Sequence, residues 1–298
     1  APAPPVGHNG PMMTPTDPAR YAGADLRLAA VDMDGTLLDD DKNFPPGMDD
    51  LLDQMDARGV TFAPASGRQV WTLIDMFPGR PGMTVIGENG GIVMRDGVEV
   101  SSHPVDTPTV REVIRLVREA TSGPDGIDGG LVMCGKQFAY VERTDDRFVD
   151  GVMPYYHRTK RVEDQSAIID AIEAGEIDDA IVKLAVYVIG PVEPLAQATL
   201  ANFADTHQYA VSGANWADLQ IRGVDKGSAV RDLQRFLGVE RAQTAVFGDA
   251  GNDLSMMSEG DLSFAMANAS RDVVEASRFI APSNNEAGVA QVLRTLLG

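Results

Sequence analysis

The sequence has a single cysteine, few basic side chains for its many acidic ones, and no long apolar run. The lone Cys134 cannot form an internal disulfide, and its apolar neighbours indicate a packed core residue in a reducing, cytoplasmic setting. We expect no membrane-spanning helix, because such a helix needs about 18 or more apolar residues in a row. The N-terminal stretch has neither a basic start nor a continuous apolar segment, so it does not resemble a secretory signal.

Acidic residues outnumber basic ones by 44 to 25, which gives a formal net charge of −19. This balance argues against a nucleic-acid partner, whose binding depends on Lys and Arg that neutralise phosphates. If the protein binds a small anion, a metal ion and a few well-placed cations must make the pocket locally positive. The sequence does not indicate an oligomeric state.

The length of 298 residues favours two domains. Residues 1–24 are rich in Pro and Gly, and we predict a disordered tail there. Strands and helices alternate over residues 25–91 and 222–298, which predicts one α/β core with a Rossmann-like parallel sheet and helices on its faces. Residues 92–221 mix short strands and helices without regular alternation, and predict an inserted α+β cap domain. Within it, residues 143–179 are polar and receive no assignment.

Two acidic side chains follow the first predicted strand, at the edge where open α/β sheets bind ligands. Asp32 and Asp34 are two residues apart, so their carboxylates can lean to the same side. One carboxylate can attack phosphorus while the other, if protonated, donates to the leaving oxygen. By itself, an Asp-x-Asp-Gly turn is commonplace, because turns are rich in Asp and Gly.

Three further polar places follow in chain order. Ser66 opens a Ser-Gly-Arg sequence after the second strand, where a hydroxyl and free N–H groups suit a phosphate oxygen. Lys226 begins a predicted helix, and Asp249 and Asp253 follow a later strand with hard oxygen ligands suited to Mg²⁺. Each has an ordinary explanation alone, as an N-cap, a surface lysine or an Asp-rich turn. Their occurrence in order on one sheet favours a site for phosphoryl transfer.

Together these residues resemble the haloacid dehalogenase superfamily of phosphatases. Its four motifs are matched, in order, by Asp32 to Leu38, Ser66, Lys226 and Gly248 to Asp253. Within the superfamily, the sequence resembles the Cof-type subfamily, which has a type IIB cap. The features that carry this second resemblance are Ala65 to Arg68, Glu88 to Gly91, the large insert and Asn284 to Val289.

The resemblance implies a role for each matched residue. The expected catalytic residues are Asp32 as nucleophile, Asp34 as acid and base, and Ser66 and Lys226 as phosphate holders. The residues expected to bind substrate phosphate are Gly35, Thr36, Ser66, Gly67, Arg68, Asn89, Lys226 and Asn252. The expected Mg²⁺ ligands are Asp32, Asp34 through its backbone carbonyl, Asp249 and Asp253.

The implied function is Mg²⁺-dependent hydrolysis of a small phosphorylated metabolite, such as a sugar phosphate or a phosphorylated cofactor, through an aspartyl phosphate. The insert would act as a lid. We expect Asp34 to be protonated when substrate arrives, because nearby carboxylates favour its neutral form.

Two alternatives stay open at this point. A phosphotransferase or phosphomutase would use the same core with a sugar as acceptor, and a non-catalytic sensor would only bind a phosphometabolite. The lid sequence does not select a substrate. Its candidate contacts are Arg143, Tyr155, Tyr156 and His157, although surface packing is the better explanation for these residues.

Overall fold

The computed structural model describes residues 13–80 and 82–298 of the chain. Within those residues, no helix is long and apolar enough to cross a membrane. The strands, in chain order, are β1 (Leu28–Asp32), β2 (Thr61–Ala65), β3 (Thr84–Gly87), β4 (Ile92–Arg95), β5 (Val98–Ser102), β6 (Gly129–Gly135), β7 (Ala139–Val141), β8 (Thr159–Arg161), β9 (Ile181–Val188), β10 (His207–Gly213), β11 (Trp216–Ile221), β12 (Thr244–Gly248), β13 (Leu262–Met266) and β14 (Phe279–Ala281).

Helices connect these strands, and short 3₁₀ turns at Glu88–Gly90 and Gly251–Asp253 supply residues to the site described below. The α-helices, in chain order, are α1 (Met48–Ala57), α2 (Val70–Asp75), α3 (Thr107–Thr121), α4 (Asp146–Val152), α5 (Gln165–Glu173), α6 (Glu193–Ala198), α7 (Lys226–Leu237), α8 (Leu254–Met257), α9 (Arg271–Ala276) and α10 (Gly288–Leu297).

The core sheet has eight described strands in the order β14-β13-β12-β1-β2-β3-β4-β5. The strands from β14 to β3 are parallel, which confirms the predicted α/β class. In the central strand β1, Ala29 and Val31 face one hydrophobic cluster, while Leu28 and Ala30 face the other. Both faces are covered by helices, so this strand is apolar at every position before Asp32, as expected of a buried parallel strand.

Strands β4 and β5 also belong to the core sheet, although residues 92–102 were predicted to belong to the insert. β4 pairs antiparallel with β3, and β5 pairs antiparallel with β4. The chain reverses between them at Asp96 and Gly97, whose positive φ angles of 54° and 73° suit a tight hairpin turn. The predicted boundary at residue 92 is therefore wrong, and the inserted region starts only after this hairpin.

The insert, residues 107–221, forms a second sheet in the order β10-β11-β9-β6-β7-β8. Helices α3, α5 and α6 pack on its outer face, and α4 packs on part of its inner face. Residues 143–179, left unassigned from the sequence, contain α4, β8 and α5. The inner face beyond α4 is turned toward the core sheet.

Helix α3 shows how the sequence sets the outer layer of the insert. The side chain of Asp106 caps its N-terminus by accepting a hydrogen bond from the N–H of Thr109 at 3.0 Å. Val110, Ile114 and Val117 recur at spacings of four and three residues and are buried against the sheet. The helix therefore buries one face and leaves its charged side chains on the other.

The N-terminal segment departs from the predicted disorder. Residues 1–12 of the predicted tail lie outside the described residues, but Met13 and Thr16 donate backbone hydrogen bonds to the carbonyl oxygens of Ala267 at 3.0 Å and Ile280 at 2.8 Å. Tyr21 is buried, with its ring edge against Phe264 at 5.1 Å and Phe279 at 5.6 Å between centroids. The prediction is wrong for residues 13–24 because this aromatic contact anchors a stretch whose composition suggested a loose chain.

Candidate active site

The candidate site lies at the carboxyl ends of β1, β2, β3 and β12. Asp32 is the last residue of β1, Ser66 follows β2, and Asp249 follows β12. These strands run parallel and side by side. Their ends therefore bring residues from distant parts of the sequence to one edge of the sheet, as the alternating pattern predicted.

Three buried carboxylates and one buried ammonium form the centre of the site. Ligand oxygens of Asp32, Asp249 and Asp253 all lie within 4.8 Å of one another. Nζ of Lys226 donates to Oδ1 of Asp32 at 2.5 Å and to Oδ1 of Asp253 at 2.7 Å. The structure thus brings together four of the residues that the sequence singled out.

The electrostatics of this centre favour an added cation. Burial, and then the Asp253 carboxylate, raise the pKa of Asp32 well above its usual range despite the opposing effect of Lys226. Burial acts to lower the pKa of Lys226, but Asp253 and Asp32 outweigh it and raise that pKa. One ammonium faces three carboxylates, including Asp249, in a buried setting where uncompensated charge is costly. The all-oxygen donor set fits a hard divalent cation.

The turn after β1 clamps Asp249. Gly35 has a φ of +83°, and a Cβ at this position would lie 2.5 Å from Oδ2 of Asp249. Only glycine combines that backbone angle with such close approach at low cost. Thr36 donates from Oγ1 to Oδ1 of Asp249 at 3.0 Å. Gly35 and Thr36 therefore contact the acidic centre directly, while their role in phosphate binding stays a prediction.

Asp253 organises the loop after β12. Its Oδ2 accepts hydrogen bonds from the backbone N–H groups of Asp249 at 3.0 Å and Ala250 at 3.2 Å. Its Oδ1 binds Lys226. Because both oxygens are engaged, the side chain holds Lys226 and the loop that carries Asp249, and its function as a metal ligand stays a prediction.

Lys226 is placed by the start of α7. Asp225 caps that helix, accepting from the N–H of Ser228 at 2.8 Å. The chain after β3 passes close to this point, since a Cβ on Gly90 would lie 2.2 Å from the carbonyl oxygen of Asp225. Gly90 also has a φ of +96°. The Glu-Asn-Gly-Gly sequence thus lets the turn after β3 pack against the start of α7.

Asp34 has a different environment from the one predicted. Arg68 binds it through two hydrogen bonds, from Nε to Oδ2 at 3.0 Å and from Nη2 to Oδ1 at 2.8 Å. Nζ of Lys42 lies 2.9 Å from Oδ1. Burial acts to raise the pKa of Asp34, but Arg68 and Lys42 outweigh it and lower that pKa. The expectation of a protonated Asp34 among carboxylates is wrong for this arrangement, because its closest charged neighbours are cations.

The predicted phosphate binders line one side of the same cleft. Ser66 is buried, and its Oγ accepts from the N–H of Arg68 at 3.2 Å. Helix α2 begins only at Val70, so Ser66 does not stand at a helix N-terminus as the sequence suggested. Nδ2 of Asn252 donates to Oδ1 of Asn89 at 3.3 Å across the cleft wall. These polar groups border the same cleft as Asp32.

A second buried lysine, missed from the sequence, joins the insert to the core. Nζ of Lys183, on β9, lies 2.6 Å from Oε2 of Glu88 and donates to the carbonyl oxygen of Gly67 at 2.8 Å. Burial acts to lower the pKa of Lys183, but Glu88 and Asp218 outweigh it and raise that pKa. The sequence did contain a signal for this residue, because it is the single lysine within the apolar run of β9.

Aromatic side chains cover the cleft, which has a volume of about 500 Å³. Tyr187 and Trp216 face each other across β9 and β11, with ring centroids 4.8 Å apart. Tyr155 meets Trp216 edge-on at 5.6 Å. We refer to these three residues as the aromatic roof. Tyr155 was a predicted lid contact, as was Tyr156, which is buried behind the roof but also borders the cleft.

The other two predicted lid contacts lie away from the residues that border the cleft. Nδ1 of His157 is 2.9 Å from Oδ2 of Asp75 on the core. Arg143 pairs with Asp128 and Asp145, and its Cζ lies 5.3 Å from the ring centroid of Phe148 on α4. Both residues act in packing, which was the alternative explanation for them.

Comparisons with known proteins find relatives along nearly the whole chain. The family of haloacid dehalogenase-like hydrolases matches residues 29–293. A 5-amino-6-(5-phospho-D-ribitylamino)uracil phosphatase of Escherichia coli (strain K12) is 32% identical over 278 residues, 91% of this chain and 96% of its own. An HMP-PP phosphatase of Yersinia enterocolitica is 25% identical over 252 residues, covering 82% of this chain and 84% of its own.

A solved structure is also similar over most of the chain. A haloacid dehalogenase-like hydrolase from Bacillus subtilis superposes with a TM-score of 0.75 at 18% identity, covering 90% of this chain and 99% of that one. At this identity the similarity supports the fold, including the inserted domain within the parallel core.

Proposed function

Because the chain belongs to the haloacid dehalogenase-like hydrolase family, we propose that it hydrolyses the phosphomonoester of a small metabolite through a phosphoryl group carried on Asp32. The relatives are named phosphatases, so the chain is an enzyme of this class and the sensor alternative is set aside.

The observation that carries the proposal is the contact between Lys226 and Asp32. It holds Oδ1 of the carboxylate at 2.5 Å, while Oδ2 has no hydrogen bond among the described residues. A carboxylate held by one oxygen and open at the other is suited to attack phosphorus. The fixed ammonium also offsets the negative charge that develops during transfer.

We propose that Asp32 and Asp249 hold Mg²⁺, with the backbone carbonyl of Asp34 as a further ligand. Asp253 then fixes the loop, since both of its oxygens are already engaged. Mg²⁺ suits this site because it uses only one or two carboxylates together with waters and the substrate phosphate. When bound, the ion offsets the repulsion between the carboxylates and an anionic ester.

The other phosphate oxygens would be held by Ser66, the N–H of Gly67, Asn89 and Asn252, all of which border the cleft with Asp32. A hydroxyl, an N–H and two amides provide donors at fixed positions, and phosphoryl transfer depends mainly on positioning and charge stabilisation.

Asp34 would protonate the leaving alcohol and then remove a proton from the water that opens the aspartyl phosphate. The ionised form held by Arg68 and Lys42 is the one needed for the second step. For the first step, the substrate phosphate competes for the guanidinium of Arg68, which borders the same cleft. Loss of that contact raises the pKa of Asp34 and favours its protonation.

The first compound to test is 5-amino-6-(5-phospho-D-ribitylamino)uracil, because a relative that is 32% identical bears its name. Sugar phosphates and phosphorylated cofactors complete the screen. If a sugar instead of water accepts the phosphoryl group, the amount of phosphate released would not exceed the amount of enzyme. Adding a sugar acceptor would then restore turnover.

The test is Asp32→Asn, which keeps the size of the side chain and removes its nucleophile. We expect turnover of p-nitrophenyl phosphate with Mg²⁺ to fall by about 10⁴-fold or more, and chelation of the metal to have a similar effect on the unchanged protein. Asp50→Asn, at an exposed position of α1, is the matched control and should keep full activity. Full activity in Asp32→Asn would contradict the proposal.

A further inference from the structure

We infer that the aromatic roof binds a planar ring of the leaving group, so that the substrates are phosphate esters in which a short chain joins the phosphate to an aromatic or heteroaromatic ring. The inference rests on the proposed function, because it concerns the alcohol half of the same phosphomonoester.

The roof presents ring surface to the cleft. Tyr187 and Trp216 are direct partners in the antiparallel pairing of β9 and β11, so their side chains lie on one face of the insert sheet. Their planes are inclined by 38° at a centroid distance of 4.8 Å, and Tyr155 closes one side edge-on. All three rings border the cleft and keep partial exposure, with Tyr155 at 39%. This is apolar π surface beside a charged site.

The neighbouring helix is adapted to keep one of these rings in place. Gly151 lies inside α4, where glycine is unfavourable. A Cβ there would lie 2.2 Å from both Cζ and Oη of Tyr187. Any other residue would push the ring out of its position, so the glycine preserves the roof at the expense of the helix.

The roof is connected to the reacting groups by a short path. Cζ of Arg68, which holds Asp34, lies 5.2 Å from the ring centroid of Tyr155, and that ring is 5.6 Å from Trp216. Tyr155 thus contacts both Arg68 and the indole, so a leaving group whose linker matches this separation would extend from the phosphate to the indole. Asp218, two residues along β11 from Trp216, is 6% exposed and borders the cleft, where it can accept from a ring N–H.

The expected selectivity follows from stacking. A base stacked on an aromatic side chain contributes about tenfold to a hundredfold in affinity, whereas a sugar alcohol has no π face to offer. The roof should therefore discriminate between compounds that share one phosphorylated chain and differ in the ring.

The experiment compares riboflavin 5′-phosphate with D-ribitol 5-phosphate, which lacks only the ring, and adds pyridoxal 5′-phosphate as a smaller ring. We expect kcat/KM to favour at least one ring-bearing ester by about tenfold or more. Trp216→Leu should remove that preference, mainly by raising KM for the ring-bearing esters; Trp216→Phe should retain most of it. Equal losses on both kinds of ester, or no preference in the unchanged protein, would overturn the inference.

Binding can be read without turnover, because the chain has two tryptophans, Trp71 and Trp216. In Trp71→Phe the indole emission reports Trp216 alone, and we expect riboflavin without its phosphate to quench it in a saturable way. In Trp216→Phe only Trp71 emits, and saturable quenching should vanish. Gly151→Ala should weaken quenching in the Trp71→Phe background, because it displaces Tyr187. The same quenching in all variants would count against the roof.

Failure of this inference and failure of the proposed function give different results. Asp32-dependent hydrolysis of p-nitrophenyl phosphate without any preference for the ring-bearing esters would reject the inference alone. Absence of Asp32-dependent hydrolysis of every ester would reject the proposed function, and the quenching experiment would still decide whether the roof binds a ring.

Discussion

The core and the insert each bury a lysine beside carboxylates, and the two lysines serve different purposes. Lys226 begins α7 of the core and is 0% exposed between Asp32 and Asp253. Lys183 lies on β9 of the insert, is 1% exposed, and pairs with Glu88 of the core. The first holds Asp32, the proposed nucleophile, whereas the second crosses the boundary between the two sheets.

This difference bears on the predicted lid. The contact of Lys183 is reinforced by Gln220, whose Nε2 donates to the carbonyl oxygen of Glu88 at 2.7 Å. On the other side of the cleft, Thr72 donates to the carbonyl oxygen of Tyr155 at 3.0 Å. The insert is thus docked on the core by buried polar contacts, and the roof has a defined position over the reacting groups. Breaking one half of such a buried pair is costly.

The largest expected difference between the lysines is in turnover. In Lys226→Met, the nucleophile loses both its anchor and the charge that offsets its repulsion from a phosphate. We expect kcat for p-nitrophenyl phosphate to fall by about 10⁴-fold, or about 5 kcal/mol of transition-state stabilisation. Lys183→Met should stay within about tenfold of the unchanged protein, since it touches no reacting group. Similar losses of kcat in both variants would contradict the different roles of the two lysines.

The second expected difference is in stability. Lys183→Met leaves Glu88 buried without its cation, and we expect the free energy of unfolding in urea to drop by about 4 kcal/mol. Burial already raises the pKa of Glu88 despite Lys183. Lys183→Met combined with Glu88→Gln should recover part of the loss, because Glu88 is then no longer a buried charge and only Asp218 remains near position 183 without the ammonium. A double variant no more stable than the single one would show that the pair itself is not the cause.

Comparing alanine variants of two glycines can separate the effect of backbone strain from the effect of crowding at the acidic centre. Gly35 and Gly23 have similar φ angles, +83° and +79°, but only Gly35 faces Asp249, while Gly23 faces open space. Each alanine variant should lose about 1 kcal/mol of stability from the backbone alone. Only Gly35→Ala should also lower kcat/KM, by about tenfold, and demand more Mg²⁺. Equal activity of the two variants would show that the Asp249 contact is unimportant.

The smallest expected effect concerns the outer layer of the insert. Asp106→Ala removes the cap of α3 and should cost about 1 kcal/mol at pH 7, whereas Ser270→Ala, at an N-cap of the core without a side-chain bond, should cost little.

The Asp106 effect should depend on pH. Burial acts to raise the pKa of Asp106, but the Thr109 N–H and the contact with His207 outweigh it and lower that pKa. A lowered pKa in the folded protein gives stability that is complete above the ordinary pKa of about 4 and is lost as the pH falls through the lowered value. The side chain is half exposed, so the dependence is small. Urea unfolding at pH 7 and below pH 4 measures it; a difference that grows in acid would contradict the sign.

The sequence predicted the centre of the site better than its surroundings. The hydrophobic pattern predicted the strands and helices at whose ends these residues lie: Asp32 ends β1, Lys226 begins α7 and Asp249 follows β12. A parallel sheet brings such strand ends to one edge. The roles of these residues remain proposals. Lys183 and Trp216 could not be placed in the same way, because their positions depend on which distant strands pair within the insert and on how that sheet docks.

Local sequence patterns also failed to predict structure that depends on contacts between residues far apart in the chain. The strands of residues 92–102 were legible, but their membership of the core sheet depends on pairing with β3. Lys42 has a φ of +66°, and its Nζ lies 2.9 Å from Oδ1 of Asp34. The spacing of these residues in the sequence does not predict this contact. Tyr21 packs on aromatic residues near the other end of the chain.

The insertion has a consequence for the order in which the protein is made. Strand β1 pairs with β2 on one side and β12 on the other, and the whole insert lies between β1 and β12 in the chain. Because the insert has its own sheet and hydrophobic clusters, and domains generally fold as units during synthesis, it can fold on the ribosome before β12 emerges. Asp32 can meet Lys226 and Asp249 only after the whole insert has been synthesised, so the candidate active site assembles later than the insert that covers it.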